Sequence, residues 1–562
     1  MNLLCIVLFL FFSFVESIAK SSPIVKTSLG QIKGSIIKSR LGKDIYSFRG
    51  IRYANPPVGL RRFKVAESVH PWEGIFDASE DGPSCICPEG RNLSEDCLAL
   101  NIYTTKLQNG NNGTQNPVIV FFPPGSFTSF SAQSYIWGPE YYLDQDIVLV
   151  TVNYRLSALG FTSTGTKHAP GNLGLKDQVM ALKFIQQHIA HFGGNPNAVT
   201  ITGVSAGGWS VVLHMLSPMS RGLFHKAIAM SGSPVKANNL PSNQSDIAFK
   251  QASFVNCPSG PDKLDEMFDC LGKVPAQQFG DTIPLFSEFY GDPSLIFSPV
   301  VEPEVEGVER FLHAQPVDII RSGNFSHVPF ITGITKDEIV RPVLRACEAA
   351  DEGNSSYFDD LERDWNRVAP ILFQYDRFGE QSETATTKIR KFYFNDEIIS
   401  RDNADKLAQI YADAIIGFSV YRTANLMAQY STQPVYYYEF AYQGRYSFQS
   451  WNKTGEPYGV AHYDDLQYIF YVSYLTPLFQ NNDPETLMVE KMTSMWANFA
   501  KSGEPIPKNN TLFGDFAWET LTPKNHKYLK IDEIFEMRSK LFPERYALWD
   551  EMFPLSDPNS RN

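Results

Sequence analysis

The sequence predicts an α/β fold, a central and mostly parallel sheet with helices on both faces. Three observations point there. Strand and helix signals alternate through the first half of the chain. The strand signals are short apolar runs without polar alternation, the pattern of strands buried on both faces. A Gly-x-Ser-x-Gly pentapeptide, Gly203-Val204-Ser205-Ala206-Gly207, follows one such run and opens a helical pattern. Strands that alternate with helices form a parallel sheet covered on both sides.

The elements follow in order. Residues 118–122 are apolar and enter a Pro-Pro-Gly turn, and residues 147–152 are apolar and rich in β-branched side chains, so both read as strands. Between 175 and 192 the apolar side chains fall at Leu175, Val179, Leu182, Ile185, Ile189 and Phe192, which is helical spacing, and Gly193-Gly194 ends the run. Residues 199–202 read as a strand leading into the pentapeptide, and 206–216 as the helix after it. Further strands are expected at 227–230, 328–332 and 435–440, and helices laid over the sheet from about 339 to 424. No composition break marks a second domain, so residues 20–562 read as one domain.

Of 562 residues, 43% are hydrophobic and 20% charged, the balance of an ordinary globule with a large core. The net charge of -12 argues against nucleic acid as a partner and against docking on anionic membranes. Leu3 to Val15 is an apolar run too short to span a bilayer, followed by the small residues Ser17 and Ala19. Residues 1–19 therefore read as a signal peptide, and secretion with no stable membrane anchor is the expectation. Sequons at Asn92, Asn112, Asn243, Asn324, Asn354, Asn452 and Asn509 agree with that route. Among the cysteines, Cys257 and Cys270 bracket a short loop and are expected to pair. Cys97 is expected to pair with Cys85 or Cys87, the choice being open, and Cys347 is left over. The Cys85-Ile86-Cys87 spacing does not suit zinc, and no metal is expected.

A Gly-x-Ser-x-Gly match has about 0.2 chance occurrences in a chain this long, so context decides. Its strand-to-helix setting is the one in which a tight turn lifts a serine out of the sheet with the next N–H aimed at a developing oxyanion. A hydroxyl needs a base, and the base needs an orienting carboxylate. His188 and His191 lie on a helix face and read as surface groups. His462, in Gly459-Val460-Ala461-His462-Tyr463-Asp464-Asp465, sits in a glycine-containing loop flanked by acids. Glu338 lies just past a strand signal in Gly333-Ile334-Thr335-Lys336-Asp337-Glu338. Ser205, Glu338 and His462 thus stand in the chain order nucleophile, acid, base.

Across essentially the whole mature chain the sequence resembles the type-B carboxylesterases, the carboxylesterase and cholinesterase family, and within it insect secreted esterases of the juvenile-hormone-esterase and venom-esterase kind. The stretches that carry the likeness are Gly50-Ile51-Arg52-Tyr53-Ala54-Asn55-Pro56-Pro57-Val58-Gly59, Ser94-Glu95-Asp96-Cys97-Leu98, Asn153-Tyr154-Arg155, Gly171-Asn172-Leu173-Gly174-Leu175-Lys176-Asp177-Gln178 and Phe192-Gly193-Gly194-Asn195-Pro196. The resemblance implies an α/β-hydrolase fold and a triad of Ser205, Glu338 and His462. It implies the two disulfides above and ion pairs of Arg62 with Glu95 and Arg155 with Asp177. It implies no cofactor, and a small-molecule ester as the partner.

The departures from the family pattern are specific. The family carries a glycine-rich stretch before an aromatic residue; this chain has Pro123-Pro124-Gly125-Ser126-Phe127. The resemblance assigns the oxyanion hole to the N–H groups of Gly125, Ser126 and Ala206. The prolines fall at the two positions that do not donate, so the hole survives, with Pro124 fixing a φ where the family has glycine. Loss of one donor costs about 100- to 1000-fold in turnover, so reduced but real activity is the expectation. Val204 stands beside the nucleophile where juvenile hormone esterases commonly have Gln. Ile339 and Tyr463 stand where glycine is usual and are expected to add bulk near the base. The loop from Cys85 to Cys97 has no aromatic side chain to bind a quaternary ammonium, which argues against cholinesterase activity. The function expected is hydrolysis of uncharged or apolar carboxylic esters through an acyl-enzyme. The alternative is a weak or inactive cholinesterase-like binding or adhesion protein, for which the altered oxyanion turn is the main support.

Overall fold

The structure is a computed structural model that describes residues 22–107, 115–379, 381–508 and 510–555. The leader expected at residues 1–19, the sequons at Asn112 and Asn509 and the polar tail lie outside the described residues.

An eleven-stranded sheet organises the chain. Its strands in chain order are β1 (Ser35–Lys38), β2 (Asp44–Arg52), β3 (Ala99–Thr104), β4 (Asn116–Phe122), β5 (Val148–Val152), β6 (Gly194–Val204), β7 (Lys226–Met230), β8 (Phe330–Thr335), β9 (Val435–Phe440), β10 (Lys527–Ile531) and β11 (Glu536–Ser539). From edge to edge they lie in the order β11, β10, β9, β8, β7, β6, β4, β5, β3, β2, β1. The run from β10 through β6 and β4 to β5 is parallel throughout. Only the outer pairs are antiparallel.

The continuous apolar character of β4 has a direct cause. Val118, Val120 and Phe122 belong to the core on one face of the sheet, and Ile119 and Phe121 to the core on the other. Both faces are covered, so neither set of alternate side chains meets water. Helices Leu173–His188 and Ala206–Leu216 contribute to the first core, and helix Thr486–Ser502 to the second.

Strand 435–440 lies where it is expected. The strand expected at 328–332 begins two residues later, because Pro329 has no N–H for a ladder; its carbonyl instead accepts from Ala227 N at 3.1 Å. The strand expected at 199–202 starts earlier, at Gly194, which pairs with Asn116. The helix expected over 175–192 is α-helical over Leu173–His188 and tightens to a 3-10 turn over Ile189–Phe192, where Gly193 at φ 81° stops it. Helices Arg341–Asp351, Ser356–Leu372, Ser382–Phe394, Ala404–Tyr411 and Phe418–Tyr430 fill the region expected to be helical. One expectation fails: His188 is not a surface group. Its ring is buried against Phe184, centroids 4.6 Å apart, and burial followed by the neighbouring His191 holds it below the ordinary imidazole range. His191 is exposed.

Of the two partners open to Cys97, Cys85 is the one bonded to it, and Cys257 is bonded to Cys270. Cys87 and Cys347 are buried thiols. Both ion pairs form. Arg62 grips Glu95 with Nε and Nη2 at 2.6 and 2.7 Å and spends Nη1 on the carbonyls of Leu271 and Val274. Arg155 grips Asp177 at 2.7 and 2.6 Å and donates to the carbonyls of Arg62 and Lys64. These two guanidinium groups tie the stretches at Arg62, Glu95, Asp177 and Leu271 to the segment that follows β5. No helix among the described residues is long and apolar enough to cross a membrane.

Candidate active site

β6 ends at Val204 and the helix begins at Ala206, so Ser205 alone makes the turn, at φ 57° and ψ −120°. A side chain at positive φ is strained by about 1–3 kcal/mol and persists only when its surroundings hold it. Here they do. Ser205 N donates to Met230 O at 2.9 Å, and Ser205 O accepts from Trp209 N at 2.9 Å. The flanking residues must be glycine. A Cβ on Gly203 would come within 2.5 Å of the Gly207 backbone, and one on Gly207 within 2.0 Å of Phe122 O. The Val204 side chain points away from the turn, buried with Ile228 and Met230 in the second core. Beneath the helix, His214 is buried between Ser220 Oγ at 2.7 Å and Gln178 Oε1 at 2.8 Å, and burial lowers its basicity to a pKa of about 3. It is therefore a neutral packing group.

Glu338 and His462 lie in the loops that follow β8 and β9, two and three strands from β6. Asp337 N donates to Val460 O and Val460 N donates to Asp337 Oδ2, both at 2.9 Å, which clamps the loops together. Glu338 is fully buried; Oε1 accepts from Thr335 N at 2.9 Å, and Oε2 accepts from His462 Nδ1 in a short hydrogen bond. The opposite ring nitrogen, Nε2, is buried and has no hydrogen-bond partner among the described residues. Such an imidazole is oriented on one side and open to accept a proton on the other.

The two residues that replace glycine both stand in left-handed backbone, Ile339 at φ 47° and Tyr463 at φ 83°. That geometry is what glycine supplies freely, and here the buried surroundings impose it on bulky side chains. The Tyr463 ring lies 4.0 Å from that of His462 and packs edge-on to Phe448 and Phe130. Burial pushes its phenol up to about 12, and the Ser205 side chain near the hydroxyl partly offsets that.

The flanking acids Asp464 and Asp465 are buried. Asp464 accepts from Ser447 Oγ, Phe448 N and Ala461 N at 2.7 to 2.8 Å and so shapes the His462 loop. Asp465 accepts from Tyr438 at 3.1 Å through Oδ2 while Oδ1 has no partner among the described residues. Burial, reinforced by the negative Glu338, pushes Asp465 up to about 7. No sequence pattern distinguishes a buried acid after a histidine from a surface one, so this role was not legible beforehand.

After β4 the chain turns through Gly125 at φ 107° and Ser126 at φ 53°. The Gly125 carbonyl is drawn away from the site by Thr128 N, Ser129 N and both of their hydroxyls, at 2.9 to 3.2 Å. Tyr154 donates to Pro123 O at 2.9 Å and fixes the start of the turn. Among the described residues, the N–H groups of Gly125, Ser126 and Ala206 donate to no protein acceptor. Unpaired amides beside a nucleophile are what an oxyanion hole requires. No group of three or more His, Cys, Asp or Glu side chains among the described residues is placed to hold a metal ion.

Comparison with known proteins places this arrangement. The profile of the carboxylesterase family matches residues 21–549. Esterase FE4 of Myzus persicae is 36% identical over 526 residues, covering 90% of this chain and 89% of that protein. Juvenile hormone esterase of Tribolium castaneum is 35% identical over 539 residues, covering 92% and 88%. The crystal structure of juvenile hormone esterase from Manduca sexta, with OTFP covalently attached, superposes with a TM-score of 0.83 at 25% identity over 95% of this chain and 100% of that one.

Proposed function

The chain belongs to the carboxylesterase family and is a carboxylic ester hydrolase, and from that premise we propose that it works through an acyl-enzyme on Ser205. His462 takes the Ser205 proton at Nε2 as the hydroxyl attacks the ester carbonyl, and returns it to the departing alcohol. Glu338 fixes the imidazole through Nδ1 and stabilises its charged form. The N–H groups of Gly125, Ser126 and Ala206 receive the oxyanion. Water then repeats the sequence on the acyl-enzyme and frees the acid.

The observation that carries the reading is the His462 ring, held by Glu338 on one nitrogen and with no hydrogen-bond partner on the other among the described residues, together with a serine forced into a strained turn. The aromatic cluster next to the histidine, Tyr463 with Phe130 and Phe448 packed on it, favours uncharged or apolar esters. The route we assign is secretory. Asn92, Asn243, Asn324, Asn354 and Asn452 are all exposed, and the two disulfides suit an oxidising compartment.

The test is hydrolysis of p-nitrophenyl butyrate by the wild type and Ser205→Ala, with stoichiometric organophosphate labelling of each. The expected outcome is a loss of at least about 1000-fold and no labelling in the variant. Equal rates would remove Ser205 from the mechanism.

A further inference from the structure

A cavity of about 280 Å³ adjoins the helix that Ser205 opens, and it holds more positive charge than negative. Trp209, one helical turn past Ser205, forms a wall; Ser205, Glu338, His462, Gly125 and Ser126 do not line it. Its charged lining groups are Lys236, Lys250, Arg377 and Glu288. Glu288 is committed to the fork of Arg377, at 2.7 and 2.8 Å.

The two lysines have no carboxylate within ion-pair distance among the described residues. Lys236 Nζ donates to Gln374 Oε1 at 2.6 Å and lies 5.7 Å from the centre of the Trp209 ring. Lys250 Nζ lies 5.3 Å from the centre of the Phe286 ring. An amide oxygen and ring faces are partial compensation for an ammonium withdrawn from water. Burial accordingly pushes Lys236 down to about 8, which leaves it protonated near neutral pH. The remaining walls combine apolar side chains, Leu240, Ile247, Leu295 and Ile371 among them, with the polar Asn238, Asn239, Ser298 and Tyr375.

The complement of this cavity is one anionic head on an apolar body. With the Arg377 fork spent on Glu288, Lys236 and Lys250 are the cations left to meet an anion, a complement that suits a single carboxylate. We infer that the cavity is a binding site for the carboxylate of an amphipathic organic acid, anchored by Lys236 with Lys250 as the second cation. The site lies outside the reacting centre, so an acid bound there leaves Ser205 free.

Calorimetric titration of the full chain with octanoate and with octanamide, its uncharged counterpart, tests this. Octanoate is expected to bind at least about tenfold more tightly than octanamide near pH 7. The difference should persist in Ser205→Ala and disappear in Lys236→Met, which weakens octanoate and leaves octanamide unchanged. Equal affinity for the two compounds in the wild type overturns the inference without any substitution. So does octanoate binding that is lost in Ser205→Ala, or that is unchanged in a folded Lys236→Met.

Discussion

The Tyr463 hydroxyl lies against the Ser205 side chain, while the neighbouring His462 Nε2 has no hydrogen-bond partner among the described residues. The nucleophile therefore rests against a phenol and must turn to its base to react. Removing the hydroxyl while keeping the ring frees that motion without disturbing the packing on Phe130 and Phe448. Tyr463→Phe is expected to raise kcat on small aryl esters by about 2- to 10-fold, the worth of one hydrogen bond. Steady-state kinetics on p-nitrophenyl acetate decides it. A fall in kcat would instead make the phenol a contributor to turnover.

Gly125 has no room for change. It sits at φ 107°, and a Cβ there would lie 2.3 Å from Ser129 O. The turn would have to open, carrying the amides of Gly125 and Ser126 off their line. Gly125→Ala is expected to lower kcat by about 100- to 1000-fold, as for the loss of an oxyanion donor, with KM little changed. A variant that folds, as judged by circular dichroism, and turns over at the wild-type rate would exclude these amides from the hole.

Asp177 is fully buried and meets Arg155 through both oxygens. Asp177→Asn keeps the shape and strands the guanidinium without its counter-charge. The expected cost is about 3–5 kcal/mol in urea denaturation, with the loss shared by the segments that Arg155 ties together. The double variant Arg155→Met with Asp177→Leu should recover most of it, because it buries no charge. Failure to recover would mean that the carbonyl contacts of Arg155, rather than the pair, hold the structure.

How far the chain is legible from its sequence depends on where each signal originates. β4, β9 and the turn at Ser205 are local: apolar runs covered on both faces, and a turn whose glycines are required by contacts under 3 Å. The antiparallel strands at the edges carry weaker patterns. β2 changes register between Phe48 and Ile51, which breaks its alternation, and β10 mixes lysines with apolar residues. His188 shows the limit of a helix-face argument, since it is buried on a face that spacing leaves open. The contact of Tyr463 with Ser205, the burial of Asp465 and the cavity at Lys236 each join segments distant in the chain. Composition and spacing hold no record of such encounters.

Asp465 gives the enzyme a pH dependence whose sign follows from its burial. Its carboxyl is pushed up to about 7 in the fold, against an ordinary value near 3.8 in the unfolded chain. Between those values the folded state holds a proton that the unfolded state has released. Stability from this group is therefore full at low pH and is lost as pH rises, until the folded carboxyl itself ionises near 7. The slope is at most about 1.4 kcal/mol per pH unit. Asp465→Asn has no proton to lose and keeps an acceptor for Tyr438. Relative to wild type, the variant is expected to gain stability steadily from about pH 4.5 to about pH 7 and to hold a constant difference above that. Paired urea denaturation curves across this range measure the difference directly. A difference that does not change with pH would show that Asp465 is already ionised in the fold.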